Sequence, residues 1–155
     1  MKEFKKKVQV VIIDVSRPNP HVLLLQTNAE RGGFWQNVTG SIKDNETYFH
    51  AAQRECLEET GLAPHQFYDL CQDFNFKEKN GLEIHEQAYV AILNKTPEEI
   101  HITAKEHQNY QWIPINEVTE NNYLYKTNYD AFNKAKTRAK RYLENSTTGI
   151  ETPIV

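Results

Sequence analysis

Three glutamates in one short acidic segment are the residues of this chain best suited to chemistry. Glu55, Glu58 and Glu59 recur at helical spacing, so on a helix their side chains fall within an arc of roughly 100°. Like charges at this spacing oppose a helix by about 0.2–0.5 kcal/mol per pair, and the last turns of a helix disfavour anions. A divalent cation would reverse both penalties, and carboxylate oxygens are ligands that Mg²⁺ prefers. The segment therefore predicts a Mg²⁺ site, with a merely solvated acidic face as the alternative.

The glutamates belong to a longer pattern of residues at fixed intervals. Its members are two glycines, four glutamates, an arginine and an aliphatic residue: Gly40, Glu46, Arg54, Glu55, Glu58, Glu59, Gly61 and Leu62. This spacing resembles the signature of the Nudix hydrolases, G-x5-E-x7-R-E-U-x-E-E-x-G-U, where U is a bulky aliphatic residue. Cys56 stands at one U position and is the single departure. Since a buried cysteine behaves as a small hydrophobe, we expect slightly looser packing there and no lost chemistry.

The resemblance implies a role for each matching residue of this segment, the Nudix box. The implied ligands of Mg²⁺ or Mn²⁺ are the carboxylates of Glu55, Glu58 and Glu59, the carbonyl of Gly40 and, as an auxiliary, Glu46. Arg54 would orient the carboxylates through charge-assisted hydrogen bonds. The implied reaction is hydrolysis of a phosphoanhydride, because metal ions neutralise its anionic oxygens and lower the pKa of an attacking water.

Segments outside the box resemble one branch of this family more narrowly. They are FWQNVTGSIKDNET at 34–47, KEHQNYQWIPINEV at 105–118 and LYKTNYDAF at 124–132. They look like the dihydroneopterin triphosphate pyrophosphohydrolases, a branch often labelled dATP pyrophosphohydrolase. In that branch a downstream glutamate joins the metal ligands, and Glu106 matches it, so the base that takes the water's proton is Glu58 or Glu106. The implied substrate is dihydroneopterin triphosphate, which feeds folate synthesis, or dATP, cut to the monophosphate and pyrophosphate.

Aromatic and basic residues near the box are candidates for holding the substrate. Phe34, Trp35 and Gln36 lie just upstream of the box, where an aromatic ring can stack on a base or a pterin ring. An equally strong interpretation makes Phe34 and Trp35 core residues, because aromatics also dominate cores. Lys7 and Lys126 are candidates for holding the triphosphate, with ordinary solvated lysines as the alternative.

The remaining pattern predicts a mixed α/β domain. Five segments are typical of strands: Val8–Val15, His21–Gln26, Phe67–Phe76, Glu83–Leu93 and Tyr110–Pro114. A weaker strand pattern covers residues 100–103. The Nudix resemblance makes the fold specific: an α/β/α sandwich with a mixed sheet, in which the box forms a loop-helix-loop at the sheet edge.

Two helices accompany these strands in the prediction. The box helix has Asp44 or Asn45 as its N-cap and Gly61 as the left-handed residue after its end. A closing amphipathic helix begins at Asn128, which we expect to cap it.

Length and composition limit the classes of protein. The chain has 155 residues, the size of one domain, and we predict a single domain over 1–144 followed by a loosely ordered tail over 145–155. A net charge of −3 makes nucleic acid an unlikely main partner. No stretch approaches the ~20 apolar residues needed to span a bilayer.

Two cysteines, Cys56 and Cys71, favour a reducing cytoplasm over a disulfide scaffold. The oligomeric state stays open, with a homodimer among the candidates.

Two alternatives for the function remain open at this point. One is a Nudix hydrolase with another substrate, such as ADP-ribose, a dinucleoside polyphosphate or an RNA 5′-triphosphate end, because substrate choice lies in loops outside the box. The other is a module that binds nucleotides without cutting them. The unbroken set of Glu55, Glu58 and Glu59 argues against the second alternative, since binding alone does not need it.

Overall fold

The computed structural model describes residues 4–147, which form one mixed sheet between two helices. The strands are β1 (Phe4–Asp14), β2 (His21–Thr27), β3 (Trp35–Gln36), β4 (Val38–Ser41), β5 (Gln66–Lys77), β6 (Glu83–Leu93) and β7 (His107–Pro114). The helices are α1 (Tyr48–Thr60) and α2 (Lys126–Thr147), and short 3₁₀ turns cover Ala29–Arg31, Ile115–Glu117 and Glu120–Asn122.

The central strand of the sheet is β1, which is long enough to pair with three others. It runs parallel to β6 along its whole length, from Phe4 beside Glu83 to Asp14 beside Leu93. Its first half pairs antiparallel with β4 and its last residues pair antiparallel with β2. The main path through the sheet is β3-β2-β1-β6-β5, with β7 beside β2. The predicted mixed sheet is confirmed, and β4 carries the start of the box directly against its centre.

Side chains of β1 alternate between two apolar cores, one on each face of the sheet. Val8, Val10 and Ile12 pack with α1, whereas Val11 and Ile13 pack with α2. Burial on both faces explains the nearly continuous apolar run that predicted this strand. The sheet is therefore flanked by a helix on each side, as the predicted α/β/α sandwich requires.

The box helix begins later than the sequence predicted. The hydroxyl of Thr47 accepts a hydrogen bond from the His50 amide at 3.1 Å and is the N-cap. Asn45 instead adopts a left-handed conformation in the preceding loop, with φ of 66°, which a short polar side chain tolerates. The prediction of Asp44 or Asn45 as the cap is therefore wrong. Gly61 does end the helix with φ of 79°, as predicted.

Three further boundaries differ from the prediction. The helix α2 begins at Lys126, and Asn128 does not cap it, because its side-chain oxygen accepts a hydrogen bond from the Asn37 amide at 2.8 Å. Residues 100–103 form no strand; Ile100 and Ile102 instead pack as loop residues against the α1-side core. At the carboxyl end, α2 continues through Thr147, and residues 148–155 of the predicted tail lie outside the described residues.

Neither α1 nor α2, the two long helices of the described residues, combines the length and apolar content needed to cross a bilayer. Cys56 is a buried free thiol and Cys71 an exposed one. Cys56 is fully buried in the α1-side core, which agrees with its interpretation as a small hydrophobe.

Candidate metal centre and adjoining cavity

The last turn of α1 buries a carboxylate. Glu59 is 2% exposed and follows Ala52 and Cys56, both fully buried, on the face of the helix that packs on the sheet. Its Oε1 has no hydrogen-bond partner. A buried polar group without a partner costs free energy, and a buried charge costs far more. Glu59 therefore needs either a proton or a cation.

Two residues at the start of β7 face this carboxylate. One ligand atom from each of Glu59, Glu106 and His107 lies within 4.8 Å of the others. The Nε2 atom of His107 is 3.8 Å from Oε1 of Glu59 and 3.1 Å from Nε2 of Gln36. Because an amide nitrogen only donates, the contact with Gln36 makes His107 Nε2 an acceptor. Burial, and then the charge of Arg31, lower the pKa of His107 to about 4, so the ring is neutral at pH 7.

The electrostatics of the cluster favour a cation. Burial raises the pKa of Glu59 well above its usual range; the neighbouring carboxyls of Glu55 and Glu106 raise it further, and Arg31 opposes the shift. A hydrogen bond between Glu59 and the neighbouring Glu55 carboxyl requires that Glu59 hold a proton, which contributes to its raised pKa. A divalent ion would replace that proton and give the unpaired oxygen of Glu59 a partner. Carboxylate oxygens beside a neutral imidazole suit Mg²⁺ or Mn²⁺, so the residues present fit the metal that the resemblance of the box implies.

Arg54 fixes the other carboxylates of the box. Its Nε and Nη2 donate to both oxygens of Glu46 at 2.8 and 2.9 Å, and Nη2 also donates to the carbonyl of Ser41 at 2.9 Å. Its Nη1 donates to Glu55 at 2.8 Å and to Glu58 at 3.1 Å. The hydrogen bond from Arg54 is the main cause that lowers the pKa of Glu46 to about 2. Glu46 is thus paired with Arg54, and the half-exposed Glu58 lies outside the cluster formed by Glu59 and β7.

A glycine is required where β4 meets α1. A Cβ atom on Gly40 would lie 2.0 Å from Cδ of Glu55. No side chain fits in that space, so the closeness of strand and helix requires glycine here. The carbonyl group of Gly40 belongs to a strand residue that is paired with Val8 at the centre of the sheet.

A cavity of about 740 Å³ opens beside the cluster. It reaches the cluster through Gln36, which contacts His107, and through Thr39, the neighbour of Gly40. The charged residues that line it are four lysines and two glutamates: Lys7, Lys77, Lys79, Lys126, Glu78 and Glu86. This volume is typical of ligand sites, and the excess of lysine suits a polyphosphate.

The two aromatic candidates lie beside the cavity rather than in its wall. Neither Phe34 nor Trp35 is among the described residues that line it. Trp35 is half-buried against the α2-side core, as the core interpretation expects. Phe34 meets the ring of Tyr125 edge to face, with 5.3 Å between ring centres, and Tyr125 does line the cavity. The aromatic residues that line the cavity are therefore Tyr125 and Phe76.

Sequence reasoning missed several residues of this region. His107 follows Glu106 directly, and its position next to a predicted ligand was a usable signal. Glu86 becomes notable only once β6 is known to lie beside β1. Gln9 gave a signal too, since a lone polar residue in a strand buried on both faces needs a buried partner.

The fold and the box define the class of protein. The chain matches the NUDIX domain over residues 5–134 and belongs to that family. The predicted family and the predicted fold are thereby confirmed.

Two curated relatives illustrate how far the likeness extends. The chain is 31% identical to an octanoyltransferase of Myxococcus xanthus over 111 residues, which are 71% of this chain and 31% of that protein. It is 36% identical to the dihydroneopterin triphosphate diphosphatase of Escherichia coli K12 over 61 residues, 39% of this chain and 40% of that enzyme. In these sequence alignments the chain thus spans less than half of the length of either relative.

Solved structures extend the likeness over most of the chain. The NUDIX domain of Shewanella oneidensis NrtR, complexed with ADP ribose, matches with a TM-score of 0.74 at 21% identity, covering 90% of each chain. The Escherichia coli dihydroneopterin triphosphate pyrophosphohydrolase matches with a TM-score of 0.70 at 25% identity, covering 84% of this chain and 95% of that one. The resemblance to the dihydroneopterin triphosphate branch is therefore partial, because another Nudix structure is as similar in fold.

Proposed function

We propose that this chain is a metal-dependent Nudix hydrolase that cleaves a phosphoanhydride bond of a nucleoside triphosphate-like substrate. The substrate is dihydroneopterin triphosphate or dATP, and the products are the monophosphate and pyrophosphate. The observation that carries the proposal is the convergence of Glu59, Glu106 and His107 next to a lysine-lined cavity. The unpaired oxygen of Glu59 supports it, since no purely structural role explains a buried carboxylate without a partner.

The carboxylates of the box divide into those that would bind the metal and one, Glu46, that is paired with Arg54. Glu55, Glu59 and Glu106 are the ligands in this proposal, with the carbonyl of Gly40 as a further donor. Arg54 keeps Glu55 aimed at the site and neutralises Glu46. When bound there, Mg²⁺ or Mn²⁺ offsets the charge of the phosphate oxygens and lowers the pKa of the attacking water.

The proton of that water goes to Glu58 or Glu106. Both side chains are exposed, so each can pass the proton on to solvent. The carboxylate of Glu58 accepts a hydrogen bond from Nη1 of Arg54 at 3.1 Å, which holds it beside the other carboxylates of the box. Glu106 lies within the cluster itself, so it would lie next to a water activated by a metal ion held there.

The substrate lies along the cavity in this proposal. Lys7 and Lys126 pair with phosphate oxygens. Lys77 at the end of β5 and Lys79 in the turn that follows add positive charge to the same cavity. Gln36 sits where the cavity meets the metal cluster and donates to a phosphate or to His107. We expect the reaction to take place in the cytoplasm on a diffusible triphosphate.

The test compares substrates side by side in saturating Mg²⁺. Dihydroneopterin triphosphate, dATP and ADP-ribose are each incubated with the chain, and released pyrophosphate is measured, with a chelator as the control. We expect pyrophosphate from the triphosphates only, and only with metal present. Cleavage of ADP-ribose without any pyrophosphate from the triphosphates would show that the substrate is a nucleoside diphosphate linked to another group, and not a triphosphate. Binding without cleavage of any of the three would leave the non-catalytic module as the function.

A further inference from the structure

A line of buried polar side chains leads from α2 to the floor of the cavity. Gln9 and Asn37 are fully buried and Glu86 is 4% exposed. The Asn37 amide nitrogen donates to Gln9 Oε1 at 2.7 Å, and the Gln9 amide nitrogen donates to Glu86 Oε1 at 2.9 Å. Asn37 is fixed in turn by the Tyr123 hydroxyl, which donates to its Oδ1 at 3.1 Å, and by Asn128, whose carbonyl accepts from its Nδ2 at 3.2 Å.

The direction of every hydrogen bond in this line is set. The Tyr123 hydroxyl and the Asn128 carbonyl fix which end of the Asn37 amide donates. Gln9 must then accept from Asn37 with its oxygen and donate to Glu86 with its nitrogen. Glu86 is therefore presented as an acceptor, and the network engages its Oε1.

A buried carboxylate at this position has no structural justification of its own. Burial raises the pKa of Glu86, and the nearby charge of Lys7 and the bond from Gln9 only partly oppose that shift. A glutamine would accept the same hydrogen bond from Gln9 without a charge to desolvate. Because Glu86 also lines the cavity, its charge is directed at whatever occupies that space.

We propose that Glu86 selects the heterocycle of the substrate by accepting hydrogen bonds from a ring N–H and an adjacent amino group. This inference rests on the proposed function and narrows it. Both a pterin (2-amino-4-oxo) and guanine (2-amino-6-oxo) carry these two donors, a 2-amino group beside a ring N–H. Adenine instead presents one donor beside one acceptor. A carboxylate accepts only, so it pairs with the two donors and repels the acceptor of adenine. The substrate class is then a triphosphate whose ring carries a 2-amino group beside a ring N–H, which favours dihydroneopterin triphosphate over dATP.

Binding to the wild-type chain tests the inference without any variant and without turnover. Affinities for dGTP, dITP and dATP are measured by calorimetry with a chelator present, so that nothing is cleaved. Hypoxanthine keeps the ring N–H and lacks the amino group, which isolates the second hydrogen bond. We expect dGTP to bind about 10- to 100-fold more tightly than dATP, with dITP between them, as hydrogen bonds to a charged group require.

The variant Glu86→Gln tests the residue itself. It should lower the affinity for dGTP about 10- to 100-fold and change that for dATP little. The matched control is Glu78→Gln, which removes the same charge from an exposed residue at the same cavity and should leave the order of affinities unchanged.

Stability separates loss of binding from loss of fold. The carboxyl of Glu86 has a raised pKa when folded, so ionisation destabilises the fold as pH rises from the usual range of a glutamate through that raised pKa. Glu86→Gln should therefore melt at or above the wild-type temperature at pH 8. The difference should shrink as the pH falls below the ordinary range of a glutamate, where Glu86 is protonated in both folded and unfolded chains.

The inference and the proposed function fail in different ways. Equal binding of dGTP and dATP by the wild type, equal effects of Glu86→Gln and Glu78→Gln, or no binding of any of the three overturns the role of Glu86. Selective binding of dGTP that Glu86→Gln abolishes, with no pyrophosphate released from any triphosphate in Mg²⁺, supports that role and overturns the hydrolase.

Discussion

Glu59 is the residue at which burial and chemistry conflict most directly. It lies on the packed face of α1 beside fully buried Ala52 and Cys56, where an apolar side chain would be the more stable choice. Its carboxyl has a raised pKa and one oxygen without a partner. A residue held against its own stability points to a function that needs it.

Replacing Glu59 should therefore separate stability from activity. Glu59→Gln removes a buried charge and keeps the shape, so the metal-free protein should unfold at the same or a higher temperature. Turnover in saturating Mg²⁺ should fall by at least about a hundredfold, because a carboxamide is a poor ligand for a hard cation.

Glu98→Gln is the control for this variant, since Glu98 is an exposed acid outside the cluster. It should change neither the melting temperature nor turnover. Near-normal turnover of Glu59→Gln at high Mg²⁺ would remove Glu59 from the ligand set.

At the level of single residues, what the sequence could predict depended on local spacing. The box places Glu55 and Glu59 at intervals within one helix, so its pattern made them candidate ligands without knowledge of the fold. His107 and Glu86 reach the site only through strand pairing, of β7 with β2 and of β6 with β1. Such pairings join residues far apart in the chain, and periodicity does not specify the partner of a strand.

Among the secondary-structure elements, the contact between β4 and α1 sets the geometry of the site. Gly40 on β4 lies so close to Glu55 on α1 that a single added carbon would overlap the carboxylate. Arg54 reinforces the contact by donating from α1 to the carbonyl of Ser41 on β4. Strand and helix are thus joined through the same side chains that surround the proposed metal.

Gly40→Ala should disrupt this contact. The new Cβ would lie 2.0 Å from Cδ of Glu55, so either that side chain must turn away or β4 must move from α1. We expect a loss of about 1–3 kcal/mol in the free energy of unfolding and a large loss of turnover. Chemical denaturation and the pyrophosphate assay measure the two.

Ser41→Ala is the control on the same strand, because it keeps the carbonyl that Arg54 uses and adds no atom near Glu55. Its stability and turnover should stay near those of the wild type. If Gly40→Ala matched Ser41→Ala in both stability and turnover, the close approach of β4 to α1 would not govern the site.

Most of the elements were predictable, whereas the short strands β3 and β4 and several element ends were not. A nearly continuous apolar run predicted β1, and helical spacing predicted α1 and α2. The start of α1 was wrong because Asp44, Asn45 and Thr47 all suit a cap, and only the path of the loop selects Thr47. The strand predicted at residues 100–103 was wrong for a related reason, since alternating apolar residues also occur in a loop that covers a core.

At the scale of the whole molecule, the proposed metal centre joins two elements that are far apart in the chain, α1 and β7. The end of α1 contributes Glu55 and Glu59, and the start of β7, on the far side of β2, contributes Glu106 and His107. Without a cation, the carboxylates from these two elements repel one another across the junction. The apolar cores on the two faces of the sheet must offset that repulsion.

A divalent ion should consequently stabilise the whole fold, because it binds the assembled site and not the unfolded chain. At a concentration 100 times its dissociation constant the gain is about 2.7 kcal/mol. For a domain of this size that corresponds to a rise of roughly 5–10 °C in melting temperature. Thermal unfolding measured against increasing Mg²⁺ or Mn²⁺, with KCl at equal ionic strength to account for screening, tests this expectation.

Glu98→Gln should show the full rise and Glu59→Gln little of it, since only the second removes a ligand that links α1 to β7. If the wild-type melting temperature responded to KCl and to Mg²⁺ alike, the salts would only be screening the charges of the acidic cluster. No divalent ion would then bind there, and the metal dependence of the proposed hydrolase would be overturned.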